Sequence, residues 1–381
     1  MTTDNTELFD TAKARMDKRF KMGKEQEQLL VDIVARTVIV DKLVPPKAMG
    51  FYCNDTGLRI KYGQEGPEVG VHTHALNQLC AKVQVPMNYA NMLVTGPAFK
   101  KDLLAYSLEA LFCEQDWVER GGQPMRFLHR IVGGELRGFL SRRFNRHLAS
   151  APLLRAFIDE CFAAGAKPVE ASSSPVRNAL KCLLPTVFEA FPGEYIGLGV
   201  EWSNSDFGSG KLKVMQTVWR VNTGTASVLD EGLGKAHIGS VIEDSDVDMS
   251  DDTAQKEVAA QQGAVRDHVK EFLKEATIER LLTAIRAARD EEIPWSQLKT
   301  RLSGVLGKEN IDWMQGILDA KVASIIDLPP LSYGPGGNLV PNLYWASSAV
   351  SAVAAKTDDA DRRLELQREA GKLLAAALTT T

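Results

Sequence analysis

The stretch that decides the fold of the first half of the chain is Met125-Arg-Phe-Leu-His-Arg-Ile-Val-Gly-Gly-Glu-Leu-Arg-Gly-Phe-Leu-Ser141. Apolar and polar residues alternate on both sides of Gly133 and Gly134, as they do in half-buried strands. Two adjacent glycines favour a type I′ turn, because both central residues of that turn need a positive φ. This stretch therefore predicts a β-hairpin that turns at the two glycines.

The position of the turn fixes which residues of the hairpin face each other. Arg130 is expected directly opposite Arg137. One face, expected to pack into the core, carries Phe127, His129, Ile131, Leu136 and Leu140, and the other carries Arg126, Leu128, Arg130, Arg137 and Phe139. Like charges directly opposite each other destabilise a sheet, so we expect an anion from outside to neutralise the two arginines.

The positive charge continues after the hairpin. Residues 126–155 hold seven arginines, no lysine and one acid, although the whole chain has 45 basic and 49 acidic residues and a net charge of -4. Arginine binds phosphates with two parallel hydrogen bonds and stacks on bases, and interleaved aromatic rings are typical of single-strand binding. The predicted nucleic-acid contacts here are Arg126, Arg130, Arg137, Phe139, Arg142, Arg143, Phe144 and Arg146.

A second predicted strand would extend this surface. In Lys211-Leu-Lys-Val-Met-Gln-Thr-Val-Trp219, alternation places Lys211 and Lys213 on the same face as Trp219. A basic face that bears a tryptophan fits a nucleic-acid groove. The alternative is an ordinary half-buried strand whose lysines are solvated.

The arginine cluster also allows two alternatives to nucleic-acid binding. The arginines would pair with carboxylates of the protein itself, as an internal or intersubunit network in a structural or interaction protein. Alternatively, they would bind a small phosphorylated ligand.

The enzyme alternative rests on Glu201, Asp206 and His237, which would form an acid/base or metal cluster on a phosphorylated or nucleic-acid substrate if the fold brought them together. The sequence has no phosphate-binding loop, and its five cysteines have neither disulfide nor zinc spacing. We therefore predict no catalytic residue, no bound metal and no cofactor.

Composition divides the chain into three parts. Residues 243–252 contain six acids and no base, a density of like charge that favours a solvated segment. We predict an α+β protein: a mixed domain at 1–242 with an antiparallel sheet and hairpins, an acidic linker at 243–255, and an all-helical portion at 256–381 packed on the first domain. Within the first domain, residues 180–191 are expected to form a helix.

The sequence gives no sign of targeting to a membrane or out of the cell. The N-terminal residues are polar throughout and lack the apolar core of a signal peptide. No stretch approaches the ~20 apolar residues that a membrane-spanning helix needs. We expect a cytoplasmic protein without a membrane partner.

Several segments, taken in order, resemble a family of phage/plasmid-like proteins of unknown function. These segments are Phe139-Leu-Ser-Arg-Arg-Phe144, Gly199-Val-Glu-Trp-Ser-Asn-Ser205 followed by Gly208, Trp219-Arg-Val-Asn-Thr-Gly224, His237-Ile-Gly239 and Asn342-Leu-Tyr-Trp-Ala-Ser347. The chain departs from the family pattern at Asp206, Asn222 and Thr223. The resemblance implies an origin on mobile elements and a part in replication or recombination, and it transfers no catalytic role.

These observations together predict a non-catalytic nucleic-acid-binding protein of phage/plasmid type. Single-stranded DNA is the favoured partner, in binding or annealing during recombination or replication. We also expect protomers to assemble into a homo-oligomer, because side-by-side protomers would cover a strand without any catalysis.

Overall fold

The structure is a computed structural model that describes residues 3–118, 122, 124–142, 144, 148–235, 251–320, 328–329, 331–333 and 339–378. Its helices are α1 (Thr3–Arg36), α2 (Thr73–Lys82), α3 (Met87–Val94), α4 (Ala98–Glu114), α5 (Ser150–Ala163), α6 (Asp251–Leu273), α7 (Glu275–Asp290), α8 (Trp295–Ser303), α9 (Lys308–Asp319), α10 (Leu343–Ala355) and α11 (Ala360–Leu378). Within the described ranges, none of these helices has both the length and the apolar character needed to cross a bilayer.

The strands complete an α+β fold, as the sequence predicts. They are β1 (Val40–Val44), β2 (Met49–Asn54), β3 (Gly57–Tyr62), β4 (Glu68–Val71), β5 (Phe127–Val132), β6 (Glu135–Ser141), β7 (Lys167–Ser173), β8 (Asn178–Phe191), β9 (Glu194–Asn204), β10 (Leu212–Arg220), β11 (Thr225–Lys235), β12 (Ser332–Tyr333) and β13 (Leu339–Val340).

Sheet one contains the arginine hairpin. Its strand order is β1-β5-β6-β4-β3-β2, and all neighbours are antiparallel except β4 and β6. Helices α2, α3 and α4 cover one face, where Leu79, Leu108 and Phe112 pack against Phe127 and Leu136 of the hairpin. This core buries the strands on one side and gives sheet one its own hydrophobic interior.

Sheet two is antiparallel, with the order β11-β10-β9-β8-β7. Helix α1 packs on one face, where Met16 contacts the cluster around Leu183 and Trp219. Helices α5 and α6 pack near Val200 and Trp202 on the opposite face. The C-terminal helices α7 to α11 share a further core with the same sheet, so the C-terminal portion and sheet two form one packed body.

The expected helix at residues 180–191 is wrong, because these residues belong to β8. A largely apolar segment fits a buried strand as well as a buried helix, so its composition alone does not separate the two. Pro185 was the local signal against a helix, since proline breaks a helix interior. In the structure, the pairing of β8 with β9 shifts register between Leu183 and Val187, around that proline.

The C-terminal portion begins earlier than the sequence suggests. Helix α6 begins at Asp251, so the last five residues of the expected linker are helical. Residues 243–250 lie outside the described residues. Beyond α9, the short strands β12 and β13 interrupt the run of helices.

Candidate functional site

The hairpin forms where the sequence predicts it. Strands β5 and β6 are joined by Gly133 and Gly134, whose φ angles of 58° and 79° are both positive. A type I′ turn requires a positive φ at both central residues, and glycine adopts such angles readily.

The register of the hairpin differs from the predicted one because β6 contains a bulge. Ile131 pairs with Leu136, but Arg130 pairs with Gly138, so Arg137 is an extra residue in its strand. The prediction that Arg130 lies directly opposite Arg137 is therefore wrong. The bulge also moves each residue of β6 that follows it to the face of the sheet opposite to the predicted one.

This exchange moves Phe139 into the core of sheet one. Its ring lies 4.7 Å from the ring of Phe127, centroid to centroid, and its side chain is buried. Leu140, expected in that core, instead packs with Leu128 and Phe144 on the other face. Phe139 and Phe144 are only 4% and 9% exposed, so the prediction that bases stack on these two rings is wrong.

Arg130 is turned into the protein and satisfied there. Only 5% of the residue is exposed. Its Nε donates to Asp41 Oδ1 at 3.0 Å, and its Nη1 donates to the backbone carbonyl of Asp206 at 2.6 Å. Its guanidinium also lies 5.5 Å from the centre of the Phe144 ring. The protein itself therefore supplies the anion that the sequence assigned to an outside ligand.

Arg137 is less buried but also engaged. Its Nε lies 3.2 Å from Glu135 Oε2, and its Nη1 donates to the carbonyl of Pro175 at 3.3 Å. The side chain is 26% exposed. Arg137 is therefore the member of the predicted pair that a solvent anion can still reach.

The remaining predicted contacts fall into three groups. Arg126, Arg142 and Lys211 are exposed, and Lys213 is half-buried. Arg142 and Lys213 each have further interactions within the protein. The predicted contacts Arg143 and Arg146 lie outside the described residues, as does His237.

A polar loop after β9 joins the two sheets. We call residues 205–209 the junction loop. The carbonyl of Phe207 accepts a hydrogen bond from Gln78 Nε2 at 3.0 Å and lies 3.0 Å from His74 Nε2. Asp206 Oδ1 accepts from the backbone N–H of Ser150 at 2.9 Å. Together with the bond from Arg130, these contacts hold sheet one and α5 to the end of β9.

The two described residues of the enzyme alternative have different partners. Asp206 binds Ser150 and Arg130, whereas Glu201 is buried in sheet two within 3.2 Å of Lys181 Nζ and 3.3 Å of Arg368 Nη2. Among the residues that the structure describes, no group of three or more acids, histidines and cysteines is placed to hold a metal ion.

Lys181 is the centre of a buried ionic cluster that sequence reasoning missed. Its Nζ lies 2.9 Å from Glu170 Oε2 and 3.2 Å from Glu201 Oε2. Burial alone would lower the pKa of Lys181, but the two carboxylates raise it overall. Burial alone would likewise raise the pKa of Glu170, but Lys181 lowers it overall. Lys181 and Glu170 are therefore both charged at neutral pH.

An exposed aromatic surface on α3 and α4 was also missed. We use the name aromatic patch for the exposed Phe99, Leu103 and Tyr106 on one face of α4 together with the exposed Tyr89 and Met92 on α3, which packs beside α4. Phe99 and Tyr106 are 67% and 72% exposed, although Leu104 and Leu108 on the other side of α4 are fully buried. The sequence of α4 could have indicated this patch, because it has apolar residues on two sides, whereas an ordinary surface helix has a single apolar stripe.

Comparison of the chain with known protein families, with curated proteins and with solved structures found no match.

Proposed function

We propose that the protein is a non-catalytic interaction protein that assembles with a second copy of itself, and that its arginine hairpin is an internal brace. The brace is supported by the position of Arg130, which is buried and bonded to Asp41 and to the carbonyl of Asp206; the assembly is supported by the aromatic patch. An arginine in that position contributes to the fold, and its burial leaves little of its guanidinium accessible to a phosphate.

The energetics of a buried arginine support the structural role. Removing one partner of a buried ion pair leaves an uncompensated charge and costs about 3–5 kcal/mol. The bond between Arg130 and the junction loop also crosses from sheet one to sheet two. Loss of this side chain is therefore expected to weaken the fold and the connection between the sheets.

The aromatic patch supports the interaction role. Large exposed apolar clusters on a folded chain mark contact surfaces, and tyrosine, phenylalanine and methionine are enriched in protein interfaces. At roughly 150–250 Å² per aromatic side chain, the exposed parts of its three rings alone amount to several hundred Å². Each partner in a standard interface buries about 800 Å², so the patch supplies a large share of that area.

A second copy of the chain is the occupant that we assign to the patch. A two-fold contact uses the same surface on both subunits, so one patch is sufficient. Helix α4 carries Lys100 near its start and Glu114 at its end. Two α4 helices packed antiparallel place Lys100 of one copy beside Glu114 of the other, and they also oppose their helix dipoles.

Sedimentation velocity over a range of micromolar concentrations tests this assignment. The parent chain is expected to sediment as a dimer, and Tyr106→Glu as a monomer. Leu29→Glu is the matched control, because Leu29 is a similarly exposed apolar residue (61%) on α1, away from the patch in sequence. A parent chain that is monomeric throughout, or a Tyr106→Glu variant that still dimerises, would overturn the assignment.

Binding of single-stranded DNA stays a second proposal. It is supported by the resemblance to phage/plasmid-like proteins and by the exposure of Arg126 and Lys211. With Arg130 turned inward, such binding would depend on a few surface cations and on phosphate contacts alone, without base stacking on Phe139 or Phe144.

A further inference from the structure

A cationic cavity lies away from the hairpin, between α1 and the turn that joins β10 to β11. Its volume is about 230 Å³. Its lining consists of Arg15, Met16 and Arg19 of α1, Trp219 of β10, and residues 221–224 of the turn. Among these described lining residues, two carry a positive charge and none carries a negative charge. Glu170 interacts electrostatically with Arg19 from outside the lining but is itself bonded to Lys181, so the cavity keeps a positive character that suits an anion.

Both arginines are held in place by contacts that leave some of their guanidinium N–H groups for a ligand. Arg15 Nη1 donates to the backbone carbonyl of Asn222 at 2.8 Å, which fixes its guanidinium at the rim. The guanidinium of Arg19 lies over the Trp219 ring, 4.9 Å from its centre. Arg19 Nε is buried and has no hydrogen-bond partner among the described residues. A buried donor without an acceptor is costly, and a bound anion would remove that cost.

We propose that this cavity binds the phosphate group of a small phosphorylated molecule. The arginines stand four residues apart on α1 and therefore project from the same side of the helix. Two guanidiniums offer more N–H donors than a single carboxylate can accept, and a phosphate monoester carries the matching double charge. The Thr223 hydroxyl, which lies 2.8 Å from Thr225 Oγ1, adds a polar group at the cavity wall.

The size of the cavity selects a compact ligand. A volume of about 230 Å³ lies below the roughly 300–1,000 Å³ of typical small-molecule pockets, so the site suits a phosphate group better than a whole drug-sized ligand. Trp219 is buried beneath Arg19 and offers no open face for a base. A terminal phosphate therefore fits this site better than the backbone of a nucleic acid, which needs a row of phosphate contacts.

Isothermal titration calorimetry of the full chain tests the proposal with three probes: inorganic phosphate, adenosine monophosphate and a thymidine 15-mer. We expect one site that binds inorganic phosphate or the monophosphate in the presence of 150 mM chloride, with no competition from the 15-mer. Arg15→Gln and Arg19→Gln are each expected to weaken binding at least tenfold. Lys18→Gln is the matched control, because Lys18 is an exposed cation of α1 that does not line the cavity.

Two results would overturn the proposal. One is the absence of heat with both inorganic phosphate and the monophosphate at 10 mM. The other is equal affinity in the parent, Arg15→Gln and Thr223→Val. Arg15 is exposed, and its hydrogen bond within the described part of the chain goes to a backbone carbonyl, so its variant is expected to fold even if Arg19→Gln does not. None of these outcomes depends on the oligomeric state.

Discussion

Arg130 Nη1 donates a 2.6 Å hydrogen bond to the backbone carbonyl of Asp206, and this bond ties the hairpin of sheet one to the junction loop of sheet two. The same guanidinium holds Asp41 on the edge strand β1. One buried side chain thus connects three segments that are far apart in the sequence.

Replacement of Arg130 is therefore expected to destabilise the protein. Arg130→Gln leaves Asp41 without its partner and the carbonyl of Asp206 without a charged donor. We expect a loss of about 3 kcal/mol in the free energy of unfolding, at the lower end for buried pairs because Asp41 keeps some contact with solvent. Arg126→Gln, at an exposed position of the same segment, is expected to stay within about 0.5 kcal/mol. Urea unfolding measures both, and an Arg130→Gln variant as stable as the parent would contradict the bracing role.

His129 is expected to make stability depend on acidity. Burial, aided by Lys42, lowers the pKa of His129 to about 3, and its Nδ1 lies 2.8 Å from the Tyr62 hydroxyl. A folded pKa below the unfolded value of about 6.5 means that the stabilisation is complete above pH 6.5 and is lost as the pH falls. Each pH unit in this range is expected to remove about 1.4 kcal/mol through this group.

The comparison of parent and His129→Gln isolates this contribution. Chemical unfolding at pH 7, 6, 5 and 4.5 is expected to give a shallower loss of stability in the variant. Identical slopes in the two proteins would show that His129 is not kept neutral by the fold.

Lys181→Met is expected to be strongly destabilising at neutral pH, because it leaves the Glu170 and Glu201 carboxylates buried with less compensation. The expected cost is about 3–5 kcal/mol. Without Lys181, burial is free to raise the pKa of Glu170, so protonation relieves the unpaired charge. The difference between parent and variant should therefore be smaller at pH 4.5 than at pH 7. A difference that grows on acidification would contradict the charged state assigned to Lys181 and Glu170.

The hairpin was predictable because its signal is local. Gly133 and Gly134 specify the turn through their own backbone preferences. The bulge was not predictable in the same way. At Gly138, a Cβ atom would lie 3.3 Å from the backbone of Phe207, so the strand has a glycine where the junction loop approaches closely. That approach depends on how the two sheets pack and cannot be inferred from alternation within one strand.

The partners of the arginines could not be predicted from the sequence, for the same reason. Arg130 and Arg137 are bonded by Asp41, Asp206, Glu135 and Pro175, and all but Glu135 come from other parts of the fold. A count of charges along 126–155 detects the excess of arginine but not the acids that the tertiary structure brings to it. Periodicity likewise identified the strand at residues 211–219, yet only the packing of α1 shows that Trp219 is buried.

The central claim, that Arg130 is an internal brace and the hairpin is not a nucleic-acid groove, is tested most directly by the salt dependence of binding to a fluorescently labelled thymidine 15-mer. Each neutralised phosphate contributes about −0.7 to the log–log slope on a single strand. With Arg126, Arg142 and Lys211 as the described exposed contacts, we predict a slope no steeper than about −2.1 for the parent, unchanged in Arg130→Ala. About five phosphate contacts would give a slope near −3.5. The claim would be contradicted if the parent showed that slope and a folded Arg130→Ala/Arg137→Ala variant did not.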